Sequence, residues 1–444
     1  MLKDIGYSDI LELFSDIPEE LLLKDPVDIP GPYSEQHLTR LFQSIAAKSR
    51  NTSNMVSFLG GGIRQMYIPA AIEDLMRRGE FVTSYTPYQP EISQGLLQML
   101  YEYQSMLAEI LAMDVVNASM YDWATALGEA VLVMSRLTRR QKIILAGPIA
   151  PNRLAVARSY AEASGHELVV MPGTNGQLPV SELMEIFQQE KGKKKSQREY
   201  AGLYFEVPSY YGTLPDYPQP LIDAVHGVDA LVTVGVDPIS LGVIAPPGDY
   251  DADFVVGEGQ LLGNAPATGG PLLGIMASKY DRKWIRQIPG RLIGATTELE
   301  SQEAGYCITL QTREQHIRRE KATSNICTNE SITAVNAAIY MAALGKQGLV
   351  ELSQSLADRA QYLATQLDQI DGISAPLYGP IYAEFVVDFG SITHEELETI
   401  CLERGFVPGT KIDGSGCQRL LAVTDLHSKS DLDAFVATIR EVVS

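Results

Sequence analysis

The sequence predicts an α/β fold with a mainly parallel central sheet, a small C-terminal α+β domain and an N-terminal helical arm. Between about residues 55 and 320, apolar β-rich runs alternate with helical segments. The apolar residues of these runs are consecutive, as in strands that are buried on both faces of a parallel sheet. After about residue 325, two further strand candidates occur among helices. We therefore expect an arm at residues 1–50, a large domain at 51–322 and a small domain at 323–444.

The arm is predicted to contain two helices separated by a Pro-rich turn. Ser8 can cap a short helix that carries Ile10, Leu11 and Phe14. The prolines of the segment DPVDIPGP prevent this helix from continuing. A second helix is expected from Ser34 to Lys48, because its apolar residues recur with a period of about 3.6.

Short runs rich in Val, Ile or Leu provide the strands of the central sheet. Each run is bounded by turn or helix signals, as buried strands commonly are. The candidate strands are Lys142–Ala146, Glu167–Met171, Gly202–Val207, Ala230–Val236, Phe254–Val256 and Leu272–Met276.

The small domain is predicted to begin with an Ala-rich helix. Its pattern, ITAVNAAIYMAALG, ends at Gly345. Strand candidates follow near residues 383–389 and 419–424, and they flank a further helix. Thr393 and Glu396 form a T-x-x-E capping box at the start of that helix, and Gly405 suits the position just after its end.

The composition excludes several functional classes. The chain of 444 residues has 35 Lys and Arg against 55 Asp and Glu, a formal net charge of −20. This charge argues against binding to nucleic acid or to an anionic membrane, since both require a basic surface. No secretory signal and no apolar run of about 18 residues occurs, so a cytoplasmic protein is expected. The cysteines have no C-x-x-C spacing, and we expect reduced thiols at Cys307, Cys327, Cys401 and Cys417.

Common metal, triad and phosphate motifs are missing from the sequence. The six histidines are scattered, and neither H-E-x-x-H nor G-x-S-x-G occurs, so no metal site is expected. Glycine-rich segments at residues 60–62 and 257–271 could cradle a phosphate. The second misses the dinucleotide-binding spacing by one residue, however, and neither continues into G-K-S/T. Tight turns explain these glycines better.

Two segments are richer in polar and aromatic residues than a protein core requires. Residues 83–95, TSYTPYQPEISQG, form a Pro-punctuated loop before a helix. Residues 117–126, NASMYDWATA, form the start of a helix, where free N–H groups could hold an anion. A binding role and ordinary helix capping would both account for these patterns. The candidate binding residues are Tyr85, Thr86, Tyr88, Gln89, Ser119, Tyr121 and Asp122.

A third segment, REQHIRREKATSNICT at residues 313–328, concentrates charge where the large domain joins the small one. Its charged side chains cannot all face solvent on one helical stripe with Ile317. A salt-bridged hinge helix would explain this pattern, and so would a face that binds an anion or a partner. The candidate residues here are Arg313, His316, Arg318, Arg319 and Lys321.

These three segments resemble signature blocks of the glycine decarboxylase P-protein, the pyridoxal-phosphate component of the glycine cleavage system. The resemblance runs along nearly the whole chain and includes IPEELLLK, VDPISLG, PPGDYDADFVVGEGQ, QIPGRLIG and LLAVTDLH. The chain is similar to the first of the two subunits in the split form of that enzyme. This resemblance implies the fold of pyridoxal-phosphate-dependent transferases of fold type I, which is aspartate-aminotransferase-like.

The chain departs from a cofactor-binding enzyme of that kind. Pyridoxal-phosphate chemistry needs a lysine for the Schiff base and an Asp beside the pyridine nitrogen. Asp237 in VGVDP matches the Asp, but no lysine occurs from residue 196 to 278, and Gln260 stands near the expected lysine position. Ala150 stands where the family commonly has a His, and Trp123 where a small residue is usual. We therefore expect no covalently bound cofactor, with Asp237 and Gln260 as vestigial positions.

The resemblance implies a non-cofactor-bearing α subunit of glycine dehydrogenase (decarboxylating, aminomethyl-transferring) that is inactive alone. A β subunit carrying pyridoxal 5′-phosphate, in an α2β2 assembly, would complete the enzyme. The complex would decarboxylate glycine and pass the aminomethyl group to the lipoyl group of H-protein. The first two segments would line or shape the entrance for substrate or the lipoyl arm, and the third would order the subunit interface.

A catalytically silent regulatory or scaffolding subunit of the same ancestry is the alternative. Such a subunit would contact only the outside of an active partner. A self-sufficient pyridoxal-phosphate decarboxylase is disfavoured because the lysine is missing.

Overall fold

A computed structural model describes residues 1–23, 25–52, 54–82, 84–299, 302–326, 330–412 and 416–443. Cys327, one of the cysteines expected to be reduced, lies outside these ranges. Contacts between residues divide the chain into two units, Met1–Asn54 and Met55–Ser444. The predicted division into three domains, with boundaries after residues 50 and 322, stays a prediction.

Among its described residues, the first unit contains 3-10 turns and one α-helix. The predicted helix at residues 34–48 is α1 (Glu35–Ala46), and Ser34 caps it by accepting a hydrogen bond from the His37 N–H. The prediction that Ser8 caps the preceding turn is wrong, because Asp9 does so. The Asp9 carboxylate accepts from the Leu11 N–H, and Glu12 accepts from the Asp9 N–H at 3.2 Å. A capping box requires the acid three residues after the cap, and Glu12 stands at that distance from Asp9.

The second unit contains the strands and the remaining helices. The strands are β1 Val56–Ser57, β2 Val115–Val116, β3 Lys142–Ala146, β4 Glu167–Met171, β5 Tyr200–Val207, β6 Leu231–Val236, β7 Phe254–Glu258, β8 Gly274–Ser278, β9 Leu292–Thr297, β10 Ala304–Thr309, β11 Glu384–Asp388, β12 Phe406–Val407, β13 Thr410–Lys411 and β14 Gln418–Ala422. The helices are α2 Ala70–Met76, α3 Gly79–Val82, α4 Gln94–Leu111, α5 Trp123–Thr138, α6 Pro151–Ala163, α7 Val180–Gly192, α8 Gln219–His226, α9 Arg282–Ile285, α10 Gln315–Arg318, α11 Ser331–Asp368, α12 His394–Glu403 and α13 Lys429–Val443.

The central sheet has the strand order β2-β8-β7-β6-β5-β3-β4 among the described residues. Strands β3 to β7 pair in parallel, and β8 runs antiparallel to both of its neighbours. The predicted mainly parallel α/β sheet is therefore confirmed. Strand β8 begins two residues later than predicted, because the Leu273 N–H donates to the carboxylate of Glu258.

Side chains of the sheet are buried on both faces. Leu203 and Phe205 pack into the core that α4 and α8 cover, while Ala201 and Tyr204 pack into the core that contains α5 and α6. Burial on both faces explains why the apolar runs of these strands are continuous.

The C-terminal part has its own apolar core and its own sheet. Strands β11, β14 and β13 form an antiparallel sheet, and Phe385 and Phe435 lie in the core beside it. Helix α11 contributes to both cores, because Val335 lies in the large core and Leu363 in the small one. Its backbone breaks at Gly345, where φ is +66° and ψ is 175°. The predicted end of the Ala-rich segment is this break.

The local predictions for α12 are also confirmed. Thr393 accepts from the Glu396 N–H, Glu396 accepts from the Thr393 N–H, and Gly405 has a φ of +85°. In the part of the chain that is described, no helix is both long and apolar enough to cross a membrane.

Candidate functional site

Two polar positions come together at one edge of the central sheet. Asp237 directly follows β6, and Gln260 lies in a 3-10 turn directly after β7. Val236 pairs with Gly257 in the parallel register of these neighbouring strands. Ligands of open α/β sheets bind beyond the carboxyl ends of the strands, so this edge is the expected place for a site.

A buried arginine occupies this edge. Arg64 Nη2 lies 2.5 Å from Asp237 Oδ2, and Arg64 Nη1 lies 2.7 Å from Glu384 Oε1. The Arg64 side chain is 2% exposed, and each carboxylate side chain is 7% exposed. Burial by itself lowers the pKa of Arg64, but Asp237 and Glu384 outweigh it and raise that pKa above its ordinary value. The guanidinium is therefore permanently charged between two anions.

The first glycine-rich segment does form an anion cradle, but a carboxylate of the same chain fills it. The Gly61 N–H donates to Glu384 Oε2 at 2.8 Å, and the Gly62 N–H donates to Glu384 Oε1 at 3.1 Å. Both glycines have positive φ, +104° and +92°, which lets successive N–H groups point to one carboxylate. A Cβ at Gly60 would lie 2.9 Å from Glu384 Oε2, so no side chain fits there.

The side-chain amide of Gln260 is held by three hydrogen bonds at the position where the family likeness places the lysine. Its Nε2 donates to the carbonyls of Arg64 and Asn264 at 2.9 and 2.6 Å. Its Oε1 accepts from the Arg64 N–H at 3.1 Å. The Gln260 amide therefore fixes the backbone that presents the Arg64 guanidinium.

Arg64, Trp123, Arg153 and Asp237 line a small pocket at this edge of the sheet. Arg153 is the second cation of this pocket. The guanidinium of Arg153 lies 3.8 Å from the centre of the Trp123 ring, and Arg153 Nη1 lies 3.2 Å from Glu206 Oε2. The Trp123 Nε1–H donates to the Tyr204 hydroxyl at 3.0 Å, and that hydroxyl donates to Glu206 at 2.8 Å. The indole is 5% exposed. Trp123 thus fills volume near Arg64 and Gly62.

The remaining space at this edge is too small for pyridoxal phosphate. Arg64, Trp123, Arg153 and Asp237 line a cavity of about 20 Å³, room for about one water molecule. Sites for small molecules commonly measure about 300 Å³ or more. Asp237 is paired with a guanidinium, and position 260 carries no amine. The residues present do not fit the cofactor.

Beside the pocket, Glu258 is a buried carboxyl that accepts hydrogen bonds from three backbone N–H groups. The donors are Trp123, Gln260 and Leu273, at 3.0 to 3.2 Å. Burial raises the pKa of Glu258 to about 7, although these donors oppose the shift.

A second polar cluster forms where the predicted segments converge on residues 288–291. The side chain of Arg313 donates to the carbonyls of Ile288 and Gly290. The Asn117 amide donates to the Pro289 carbonyl at 3.0 Å, and the Ala118 N–H donates to the Arg291 carbonyl at 2.7 Å. Asn117, Ala118 and Arg313 therefore hold one backbone turn between them.

The loop at residues 84–90 contacts the same turn through Tyr88. The Arg291 guanidinium lies 5.4 Å from the centre of the Tyr88 ring, and Arg291 Nη2 lies 3.4 Å from the Tyr88 hydroxyl. The His316 ring meets the Tyr88 ring edge-on at 6.1 Å. His316 and Arg319 also line an open cavity of about 520 Å³. The cluster thus joins candidate residues from the first and third segments.

The predicted site residues differ in exposure. Those with exposed side chains are Tyr85, Tyr88, Gln89, His316, Arg318, Arg319 and Lys321. Those that are partly buried are Thr86, Tyr121, Asp122 and Arg313, and Ser119 is fully buried. Asp122 caps α5 by accepting from the Thr125 N–H at 2.7 Å, which is the helix-capping role that the sequence left open.

Several charged residues of these clusters are not among the sequence-based candidates, and they include Arg64, Arg153, Arg291 and Glu384. Arg291 belongs to the QIPGRLIG block, and Arg64 follows the glycine triplet in GGGIRQ, so a recognisable sequence pattern lies next to each of them. No such pattern lies next to Glu384, which is in the apolar strand AEFVVDF.

Comparison with known proteins agrees with this architecture. The family model described as "Glycine cleavage system P-protein" matches residues 1–439. "Probable glycine dehydrogenase (decarboxylating) subunit 1" of Chlorobium phaeobacteroides is 43% identical over 439 residues, 98% of this chain and 96% of that protein. The protein of the same description from Pyrococcus horikoshii is 41% identical over 449 residues, 100% and 97% of the two chains.

Solved structures support the same relation. A crystal structure of glycine decarboxylase (P-protein) in inhibitor-bound form is similar with a TM-score of 0.89 and 38% identity, covering 100% of this chain and 97% of that one. A glutamate decarboxylase of Lactobacillus brevis is similar in fold, with a TM-score of 0.68, 13% identity and 96% coverage of both chains. The predicted fold type I is therefore confirmed. The chain belongs to the glycine cleavage system P-protein family.

Proposed function

We propose that this chain is the non-cofactor-bearing α subunit of glycine dehydrogenase (decarboxylating). The pairing of Asp237 with Arg64 carries the proposal, together with Gln260 at the position of the Schiff-base lysine. The relatives named as subunit 1 support a second subunit as partner. In this proposal the partner binds pyridoxal 5′-phosphate, which acts as the electron sink when glycine loses CO2.

The chain contributes a wall of the shared site. Tyr85, Thr86, Tyr88 and Gln89 line the entrance for glycine or for the lipoyl arm of H-protein. Exposed aromatic rings such as Tyr85 (80% exposed) and Tyr88 (48% exposed) favour this role, since aromatic side chains are enriched in interfaces. Arg291 is added to this wall, because its guanidinium lies against Tyr88.

The other candidates shape and order this wall. Ser119, Tyr121 and Asp122 lie at the start of α5, and Arg313 supports the turn at residues 288–291. His316, Arg318, Arg319 and Lys321 present an exposed basic face toward the partner. We expect an α2β2 assembly located in the cytoplasm. The net charge of −20 makes this basic face a rare feature of the chain.

Reconstitution from separate subunits tests the proposal. The chain purified alone should show no absorbance at about 420 nm, where pyridoxal-phosphate imines absorb, and no exchange of CO2 into glycine. Both signals should appear when subunit 2 is added. A lone chain that is yellow and active would refute the proposal.

Substitutions in the loop distinguish a site-lining subunit from a scaffold. In the reconstituted complex, Tyr88→Phe with Gln89→Ala should lower kcat by about tenfold or more, equivalent to about 1.4 kcal/mol of transition-state stabilisation. The complex should assemble normally in gel filtration. Tyr280→Phe changes a similarly exposed tyrosine and is the matched control. An unchanged kcat in the double variant would favour the scaffolding alternative.

A further inference from the structure

The pocket at the edge of the central sheet is closed by side chains that compensate for each other's charge. Asp237, the position of the pyridine-nitrogen Asp in this fold, has Arg64 Nη2 at 2.5 Å. A pyridinium would present one positive charge to this carboxylate. The guanidinium presents a positive charge to Asp237 from within the chain, so this carboxylate already has a cation beside it without a ligand.

The anion cradle formed by the Gly61 and Gly62 N–H groups is likewise occupied by a charged side chain of the same chain. The N–H groups of Gly61 and Gly62 point to the Glu384 carboxylate, at 2.8 and 3.1 Å. Glu384 also completes the pairing of Arg64, through Nη1 at 2.7 Å. A negatively charged group of an incoming ligand would have to displace a carboxylate that satisfies two backbone donors and a guanidinium. Buried groups that are fully paired resist such displacement.

Trp123 removes the volume that a planar ring would need. The Arg153 guanidinium lies 3.8 Å from the centre of the indole ring, and the indole N–H donates a hydrogen bond to Tyr204. A Cβ at Gly235, on the sheet, would lie 2.8 Å from the indole, which shows how closely the ring packs on the strand. Because Trp123 is buried and is held by both Arg153 and Tyr204, its indole cannot swing aside without breaking these contacts.

We propose, building on the function proposed above, that the loss of cofactor binding is locked by Arg64 and Trp123 and not by the missing lysine alone. Gln260→Lys would place an amine at the correct position in the sequence, yet the pocket would still exclude pyridoxal phosphate. Arg64 supplies the charge that the cofactor would bring, and Trp123 occupies the space. Removing both side chains is required before an amine at position 260 reacts.

Labelling of the full-length chain tests this inference. Gln260→Lys and the triple variant Gln260→Lys/Arg64→Ala/Trp123→Ala are each incubated with pyridoxal 5′-phosphate. The introduced amine condenses with the cofactor aldehyde, releasing water, and borohydride then supplies hydride to reduce the imine to a stable secondary amine. Mass spectrometry of the peptide containing position 260 separates this product from modified surface lysines. The measurement does not depend on enzyme activity.

The triple variant should give at least about tenfold more product at position 260 than Gln260→Lys, a ratio that corresponds to about 1.4 kcal/mol. Its thermal midpoint should also rise with added cofactor, since ligands that bind the native state stabilise it. The matched control is Gln260→Lys/Arg419→Ala, which removes another buried arginine, one that pairs with Glu398 in the small domain. This control should resemble Gln260→Lys.

Several outcomes would overturn the inference. Efficient labelling of Gln260→Lys would show that the lysine alone was missing. If the Gln260→Lys/Arg419→Ala control were labelled as strongly as the triple variant, general loosening of the structure would explain the labelling. If the triple variant does not fold, adding Glu384→Gln removes one of the two unpaired carboxylates, and a folded variant without increased labelling would contradict the proposal. Labelling of the wild-type chain at this pocket would instead contradict the proposed function.

Discussion

Glu258 is a buried carboxyl whose ionisation is coupled to folding. Burial raises its pKa from 4.5 to about 7 in the folded chain. Between these values the folded state holds a proton that the unfolded state has released. The stability that Glu258 contributes is therefore fully present below about pH 4.5 and is lost as the pH rises through 7.

We expect Glu258→Gln to remove this pH dependence. The amide does not titrate, so the difference in unfolding free energy between wild type and variant should change by about 3 kcal/mol from pH 4.5 to pH 8. Urea denaturation at a series of pH values measures this difference. Parallel curves for the two proteins would show that Glu258 ionises in the folded state as it does in water.

The residues of the buried pocket show which positions a sequence pattern can predict and which contacts it cannot. Asp237 and Gln260 were recognised from their place in the family pattern, and both lie at the expected edge of the sheet. Arg64 and Glu384 fill the space between them, and although Arg64 follows a glycine triplet, no pattern in the sequence links it to Glu384. Their pairing depends on three-dimensional proximity, which neither periodicity nor spacing encodes.

At the scale of elements, local signals predicted the structure well. Strands β3 and β4 have the predicted bounds, and the Thr393–Glu396 capping box forms at the start of α12. These features depend on interactions within a few residues or on the burial of a single run. Ser8 and Asp9 are adjacent, and either could cap the first turn, so the local sequence did not decide between them. Asp9 caps the turn because Glu12 accepts a hydrogen bond from the Asp9 N–H.

The break in α11 requires a backbone conformation at Gly345 that favours glycine. Gly345 has φ +66° and ψ 175°, a region that other residues adopt only with strain. We expect Gly345→Ala to lower the unfolding free energy by about 1–3 kcal/mol. No atom lies within 4 Å of the added Cβ, so the cost comes from the backbone and not from a clash.

Gly192→Ala is the matched control for this prediction. Gly192 ends α7, its φ is not positive, and its added Cβ also meets nothing within 4 Å. Because alanine favours a helix more than glycine does, this change should raise stability by about 0.5–1 kcal/mol. Equal effects of the two substitutions would contradict the assigned role of the break.

At the scale of the whole molecule, Arg64 connects distant parts of the chain. Asp237 is 173 residues away in sequence and Glu384 is 320 residues away. Asp237 follows a strand of the large sheet, while Glu384 begins β11 of the small one. This buried triad therefore links the two cores of the second unit.

We expect Arg64→Ala to destabilise the protein by about 3–5 kcal/mol, because two buried carboxylates lose their cation. The control is Arg404→Ala, which removes an exposed ion pair with Glu441 at a distance of 2.8 Å. Exposed pairs contribute about 0–1 kcal/mol. Chemical denaturation of both variants measures the contrast, and a small loss for Arg64→Ala would show that water replaces the guanidinium without cost.

The sequence by itself determined the fold class, the positions of the main strands along the chain and the absence of a lysine between residues 196 and 278. These are properties of runs, local patterns and composition, which folding cannot change. Only the tertiary structure decided what fills the pocket beside Asp237 and Gln260. Arg64, Trp123 and Glu384 meet there because a folded chain brings distant side chains into one buried volume, where each charge must find a partner.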